Sequence, residues 1–226
     1  MLGAWLGAEA YLERLNDELR RVDPEALRDW SDQILRVWQQ GRFMFVIGNG
    51  GSALTASHIC EDLAKGTVPD HELREDGKRR LKVLSLTDNV GWMLAVANDL
   101  DFDEIFLQQL RNLAGAGDLL LAISGSGNSP NVVKAVEWAN DHGMITFGLT
   151  GFDGGVVKQL QQRGLHVNVD DMGMIESIHL CLFHWIVDDV SARINAQGRY
   201  ASQTAARTAA AGNVSAAWPT EQPAAS

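Results

Sequence analysis

The chain has 226 residues, with 19 Lys and Arg against 29 Asp and Glu, a formal net charge of −10. Its 46% hydrophobic and 21% charged residues are the composition of a folded protein, not a disordered one. The acidic balance argues against general nucleic-acid binding, two cysteines are too few for a disulfide framework, and no apolar run approaches the ~20 residues of a membrane span.

Residues 4–40 predict two helices. Trp5, Leu6, Tyr11, Leu12, Leu15 and Leu19 recur at helical spacing, Asp23-Pro24 punctuates, and Leu27, Trp30, Ile34, Leu35 and Trp38 resume the stripe. The opening segment MLGAWLGAEAYLERL has no basic leader and breaks its apolar run at Glu9, so no secretory signal is expected, and the cytoplasm is the expected location. A helical pair ahead of the first strand has more apolar surface than a small sheet covers, so residues 1–42 are expected to serve oligomerisation within the same domain.

From residue 43 the pattern changes. Short apolar runs at 43–48, 82–87, 119–124, 145–150 and 165–170 predict strands. Helical patterns at 52–65, 90–97, 103–114, 129–142, 153–163 and 174–195 separate them. Mostly apolar strands alternating with helices imply an α/β fold, a three-layer αβα sandwich on a five-stranded parallel sheet, spanning 43–195. Ligands on such sheets sit at the carboxyl ends of the strands, where strand order reverses. The polar stretch 66–80 is expected to be a long loop, a lid or an interface element. Residues 196–226, rich in Ala, Gln, Ser and Thr, are expected to be disordered.

Two loops carry chemistry. GNGGSA, from Gly48 to Ala53, follows a strand and opens a helix; Gly50 and Gly51 let backbone approach a ligand, and Ser52 sits where free N–H groups and the helix dipole favour an anion. SGSGNS, from Ser124 to Ser129, follows another strand, and Ser124, Ser126 and Ser129 each offer a hydroxyl. Either alone is equally a capped turn. Two on one sheet point to a phosphate site.

Taken together, GNGGSA with a histidine on the next helix, TDN and AND, AISGSGNSPNVVKAVEWA, LTGFDGG and a late helix reading IHLCLFH resemble the sugar isomerase (SIS) domain family, phosphoheptose isomerases above all. The resemblance covers about residues 5–195. It implies a homotetramer that interconverts sedoheptulose 7-phosphate and an aldose heptose 7-phosphate, with no nucleotide cofactor. It places the phosphate hydroxyls at Ser52, Ser124, Ser126 and Ser129. Asn49, with Gly50, Gly51 and Asn128 in the same loops, and Asp99 are placed beside the substrate. The metal and catalytic set falls on His58, Asp62, Glu176 and His184, which would hold one Zn²⁺ per subunit, and Asp62 and His184 form the expected acid/base pair.

Two positions depart from the family. Asp62 replaces a glutamate, withdrawing the carboxylate by ~1.5 Å, and Glu176 replaces a glutamine, adding a negative charge. Gly125 stands where the family usually has threonine and should loosen the second loop. His58 and Asp62 lie i, i+4 on one helix face. Glu176 and His184 are eight residues apart, ~80° of rotation and ~12 Å of rise, so convergence on one ion requires their side chains to lean toward each other. His179 is expected to be structural or supporting, and Cys60 and Cys181 to be buried core residues. Lys65 either meets phosphate or is solvated. The competing reading is a non-catalytic SIS module of the kind that binds a replication initiator; such proteins are expected to lack the late-helix histidine, and His184 is present. A third is an isomerase of a different ketose phosphate.

Overall fold

The computed structural model describes residues 1–201. Helices α1 (Ala8–Arg20) and α2 (Pro24–Gln40) come first, as the stripes predict, except that Trp5 and Leu6 lie ahead of α1, after a 3₁₀ turn at Leu2–Ala4. Asp23 caps α2 by accepting from the Glu25 N–H, Pro24 opens it, and left-handed Gly41 closes it. Then come β1 (Phe43–Gly48), α3 (Gly51–Gly66), β2 (Lys82–Ser85), α4 (Val90–Asp99), α5 (Leu107–Leu113), β3 (Leu119–Ser124) and α6 (Pro130–Asp141). The described chain finishes with β4 (Ile145–Gly151), α7 (Gly155–Leu160), β5 (Arg163–Val167) and the 23-residue α8 (Met172–Ile194).

All five strands are parallel, in the order β2-β1-β3-β4-β5. Alternate side chains of the central strands β1 and β3 enter two cores, and β4 and β5 add to the first. Met44, Val46, Leu121, Ile123 and Phe147 meet α2, α3 and α8 on one face. Phe45, Ile47, Leu120 and Ala122 meet α4, α5, α6 and α7 on the other. That double burial is why the strands read as unbroken apolar runs.

The structure corrects several expectations. Helix α2 belongs to the core: Trp30, Ile34 and Val37 are fully buried, and Trp30 stacks on Phe147 at 5.8 Å. Surplus apolar surface remains on the first segment instead, where Trp5 and Leu12 are exposed. Strand β2 stops at Ser85, two residues early, where the Ser85 and Thr87 hydroxyls bond each other at 2.6 Å. Strand β5 begins at Arg163 and ends at Val167, because Gln161 turns the short α7 into extended chain sooner than its apolar pattern suggests. The expected helix over 103–114 divides into a 3₁₀ turn at Phe102–Glu104 and α5. The 66–80 stretch contains a 3₁₀ turn at Asp70–Glu72 and anchors by Thr67 and Val68, both buried. The expected disordered tail starts too early: Gly198–Tyr200 forms a 3₁₀ turn whose Tyr200 hydroxyl donates to Asp189 at 2.7 Å. The rest of that expectation, residues 202–226, lies outside the described residues.

His179 is fully enclosed on α8. Burial pushes its imidazole down to about 4, against a backbone hydrogen bond at Thr150 that opposes the shift. The unfolded chain protonates this histidine from about pH 6.5 downward while the fold does not, so the unfolded state binds more protons and stability falls as pH drops from about 6.5 to 4. The expected loss over that window is about 3 kcal/mol. Denaturant titrations at both ends of the window check it: the decline shrinks by that amount in His179→Asn.

Candidate active site

The strand order reverses between β1 and β3. GNGGSA leaves β1 and SGSGNS leaves β3, so the two loops stand side by side at the switch point, where ligands of such sheets bind. Between them is a cavity of about 250 Å³. From the first loop Asn49, Gly50, Gly51 and Ser52 line it; from the second, Ser124, Ser126 and Ser129 do. Ser129 holds the N-cap position of α6, yet its side chain makes no capping hydrogen bond.

The loops are held by their own hydrogen bonds. Ser124 Oγ accepts from the Gly127 N–H at 3.1 Å, and Ser126 Oγ accepts from the Asn128 N–H at 3.3 Å. Asn128 does not line the cavity; its side-chain oxygen accepts from Val156 N–H at 3.1 Å, tying the loop to α7. Asn49 exchanges two amide hydrogen bonds with the buried Asn131, at 2.8 and 3.0 Å, which pins the first loop to α6. Asn131 was not among the expected residues, and no local signal marks a pairing across 82 positions. The space a threonine would take at position 125 is filled: a Cβ on Gly125 would lie 2.4 Å from Met172 Sδ. Packing by Met172 thus occupies the space of the missing side chain.

Helices α3 and α8 pack against each other in two layers. In the first, Glu176 lies against Gly51, its carboxylate oxygens 2.4 and 2.6 Å from where a Gly51 Cβ would stand. In the second, the His58 and His184 rings meet edge to face at 5.4 Å, and His58 Nε2 is 3.4 Å from Asp62 Oδ2. The ligating atoms of His58, Asp62 and His184 all lie within 4.8 Å of one another.

Glu176 is the correction to the expected four-residue set. Gly51 and His58 are seven residues apart on one face of α3, and Glu176 and His184 eight apart on α8, so the layers are separated by ~10–12 Å of helix rise. Glu176 therefore joins the serine cavity, while two imidazoles and one carboxylate cluster below it. Asp99, at the exposed end of α4, lines neither. Lys65 is exposed at the end of α3 and is not among the cavity's lining residues. Cys60 is buried as expected, and burial raises its thiol well above the ordinary range. Cys181 is exposed, because α8 turns its buried stripe of Ile178, Leu182 and Phe183 the other way.

A metal fits the lower cluster. Its donors are two imidazoles and one carboxylate, His58 and Asp62 a turn apart on α3 and His184 on α8, none of them enclosed, a set of the kind that holds a metal ion.

The chain is thus an α/β sandwich with a hydroxyl-lined cavity at its switch point and a His–carboxylate cluster one helix layer away. The SIS domain family profile matches residues 9–151. The chain is 38% identical over 179 residues to phosphoheptose isomerase of Helicobacter pylori strain P12, covering 79% of this chain and 89% of that protein. It is 34% identical over 170 residues to phosphoheptose isomerase of Pelobacter propionicus, covering 75% and 86%. The solved phosphoheptose isomerase of Neisseria gonorrhoeae superposes with a TM-score of 0.73 at 29% identity, covering 82% of this chain and 96% of that one. This chain belongs to the SIS domain family.

Proposed function

We propose that the chain is an aldose–ketose isomerase of a sugar phosphate, with sedoheptulose 7-phosphate as substrate and an aldose heptose 7-phosphate as product. The observation that carries this is the layered site: a hydroxyl-lined cavity of about 250 Å³ one helix layer away from a His–Asp–His cluster. The curated relatives, which are phosphoheptose isomerases, support the same reading.

The serine loops grip the phosphate through Ser52, Ser124, Ser126 and Ser129, and that binding energy holds the far end of the sugar over the cluster. The ~10 Å between layers is on the scale of a sugar phosphate chain. His184 and Asp62 move a proton from C1 of the ketose to C2 through an enediol and shift another between the two oxygens. The overall change is redox-neutral. His58, paired with Asp62, orients that carboxylate. A Zn²⁺ held by His58, Asp62 and His184 would supply Lewis-acid stabilisation of charge on the carbonyl oxygen.

His58 and His184 are both exposed in the single chain. Val90, Leu94, Leu100 and Phe102, on α4 and just beyond it, form an exposed apolar run, with Leu54 on α3 exposed as well. This surface fits a homo-oligomer, a tetramer in this reading, which would draw water away from the site. Asp99 lies on the same surface. Among the described residues no helix is long and apolar enough to cross a membrane; the cytoplasm is the proposed location.

Glu176 gives a specific prediction. A carboxylate facing the phosphate cavity opposes a dianion, so Glu176→Gln lowers KM for the sugar phosphate by up to ~10-fold, the factor that ~1.4 kcal/mol supplies, with kcat changed less. Initial-rate kinetics on both proteins check it. The reading as a whole is tested by incubating the purified protein with sedoheptulose 7-phosphate and assaying for aldose product. Formation at a rate that Ser124→Ala reduces supports it; no product at any enzyme concentration contradicts it.

A further inference from the structure

Away from the active site, α2, the C-terminal half of α8 and the turn Gly198–Tyr200 enclose a second cavity of about 460 Å³. That is within the ~300–1,000 Å³ of small-molecule sites, and it shares no lining residue with the serine cavity. Its wall carries three arginines, Arg28, Arg193 and Arg199, against a single carboxylate, Asp189. Glu25, on Arg28, and Asp32, on Arg193, bring the surrounding carboxylates to three, so the region is balanced in charge and its capacity for an anion rests on Arg28 and Arg199.

The three guanidiniums are not equivalent. Arg193 is committed to the fold, 2.6 Å from Asp32, 3.2 Å from the Ser31 hydroxyl and 3.8 Å from Asp189. Asp189 is itself buried. Burial pushes its carboxyl up, but hydrogen bonds from Ser31, Tyr200 and Arg199 and the charge of Arg193 outweigh that and hold it low. Arg199 gives one edge to Asp189 and lies over the Trp185 and Tyr200 rings, at 5.2 and 5.1 Å. Stacking fixes its plane and leaves its other N–H groups for a ligand. Arg28 has only a loose contact with Glu25 at 3.8 Å, between side chains 60% and 87% exposed. Such a pair is weak enough to yield to a better anion.

The remainder of the wall is apolar or aromatic: Pro24, Leu27 and Trp185. The one uncharged polar side chain, Tyr200, already spends its hydroxyl on Asp189. A bare sugar phosphate would find charge here but few partners for its hydroxyls. A planar ring would find Leu27 and the part of Trp185 that Arg199 leaves uncovered. We propose that this cavity binds a nucleoside phosphate, its phosphates on Arg28 and Arg199 and its base against Trp185 and Leu27. The inference stands apart from the isomerase reading, since the two cavities share no residue.

The test is isothermal titration of the full chain with ADP, run on the unaltered protein, on Ser124→Ala and on Arg28→Gln. Arg28 is chosen because it is exposed and has no buried partner, so its replacement leaves the fold intact. Adenosine and inorganic phosphate are titrated into Ser124→Ala, in which the serine cavity is weakened. The expected result is saturable ADP binding that Ser124→Ala leaves unchanged and Arg28→Gln weakens ~10-fold or more, with adenosine and phosphate each weaker than ADP by at least that factor. Absence of saturable ADP binding overturns the proposal. So does binding that survives Arg28→Gln but is lost in Ser124→Ala, which would place the nucleotide in the serine cavity, and so does phosphate binding as tightly as ADP.

Discussion

His184→Ala is expected to lower kcat for the ketose phosphate by about 10²–10⁴-fold, the range that a positioned acid or base contributes, with KM changed only a few-fold. The split follows from the layering. His184 belongs to the lower cluster with His58 and Asp62, whereas the proposed phosphate grip, Ser52, Ser124, Ser126 and Ser129, lines the cavity one layer above. Binding and chemistry are thus assigned to different residues, and a substitution in one layer should leave the other working. Asp62→Asn should behave alike, because it keeps the shape and removes the proton-accepting charge. The two effects will not add, since the residues act on one proton transfer. His184 is exposed on α8, so its loss should leave the unfolding midpoint nearly unchanged. A large kcat loss with an intact fold separates chemistry from structure. Full turnover in both variants would end the assignment of this pair.

Gly127→Ala is expected to be the most damaging single-atom change to the cradle. Gly127 has φ +66, in the left-handed region that costs a residue with a Cβ about 1–2 kcal/mol. The larger obstacle is steric. A Cβ at this position would lie 1.9 Å from the Gly154 carbonyl oxygen, and backbone cannot swing aside as a side-chain tip would. The second loop must then move away from the chain before α7. Doing so breaks the bonds from Gly127 N–H to Ser124 Oγ and from Val157 N–H to the Gly127 carbonyl. Strain and lost bonds together predict a destabilisation of about 3 kcal/mol or more, read as a lower denaturant midpoint. Whatever remains folded should bind substrate poorly, with KM raised by more than ~10-fold, because Ser124 and Ser126 are displaced together. Gly51→Ala is the contrasting control. There the obstacle is the tip of the Glu176 side chain, which is free to rotate away.

The sequence carries the fold well where burial is symmetric. Strands β1 and β3 are read to the residue because both faces are covered and a glycine or serine ends each run. Strand β5 is misplaced because Arg163 and Gly164 open it without any apolar signal. The two glycine–serine loops are legible because glycine and serine at a strand-to-helix turn have a direct chemical meaning, and both line one cavity. What no pattern reveals is the relative placement of α3 and α8. The spacing of Glu176 and His184 leaves convergence open, and only the packing shows that Glu176 meets Gly51 while His184 meets His58. The Asn49–Asn131 pair and the exposure of Cys181 are hidden for the same reason: each depends on which faces two distant segments present to each other. The resemblance to phosphoheptose isomerases identifies the residues of the lower cluster, but the two departures at Asp62 and Glu176 become interpretable only once those faces are known.

The account's central claim is proton transfer between C1 and C2 through an enediol. Proton NMR of the purified protein with sedoheptulose 7-phosphate in D₂O tests it most directly, run once with added zinc and once with a chelator. The account predicts a new aldose signal and deuterium on the carbon beside the carbonyl, both lost in His184→Ala. Persistence of the ketose with no exchange of its carbon-bound protons, under both conditions, would contradict it.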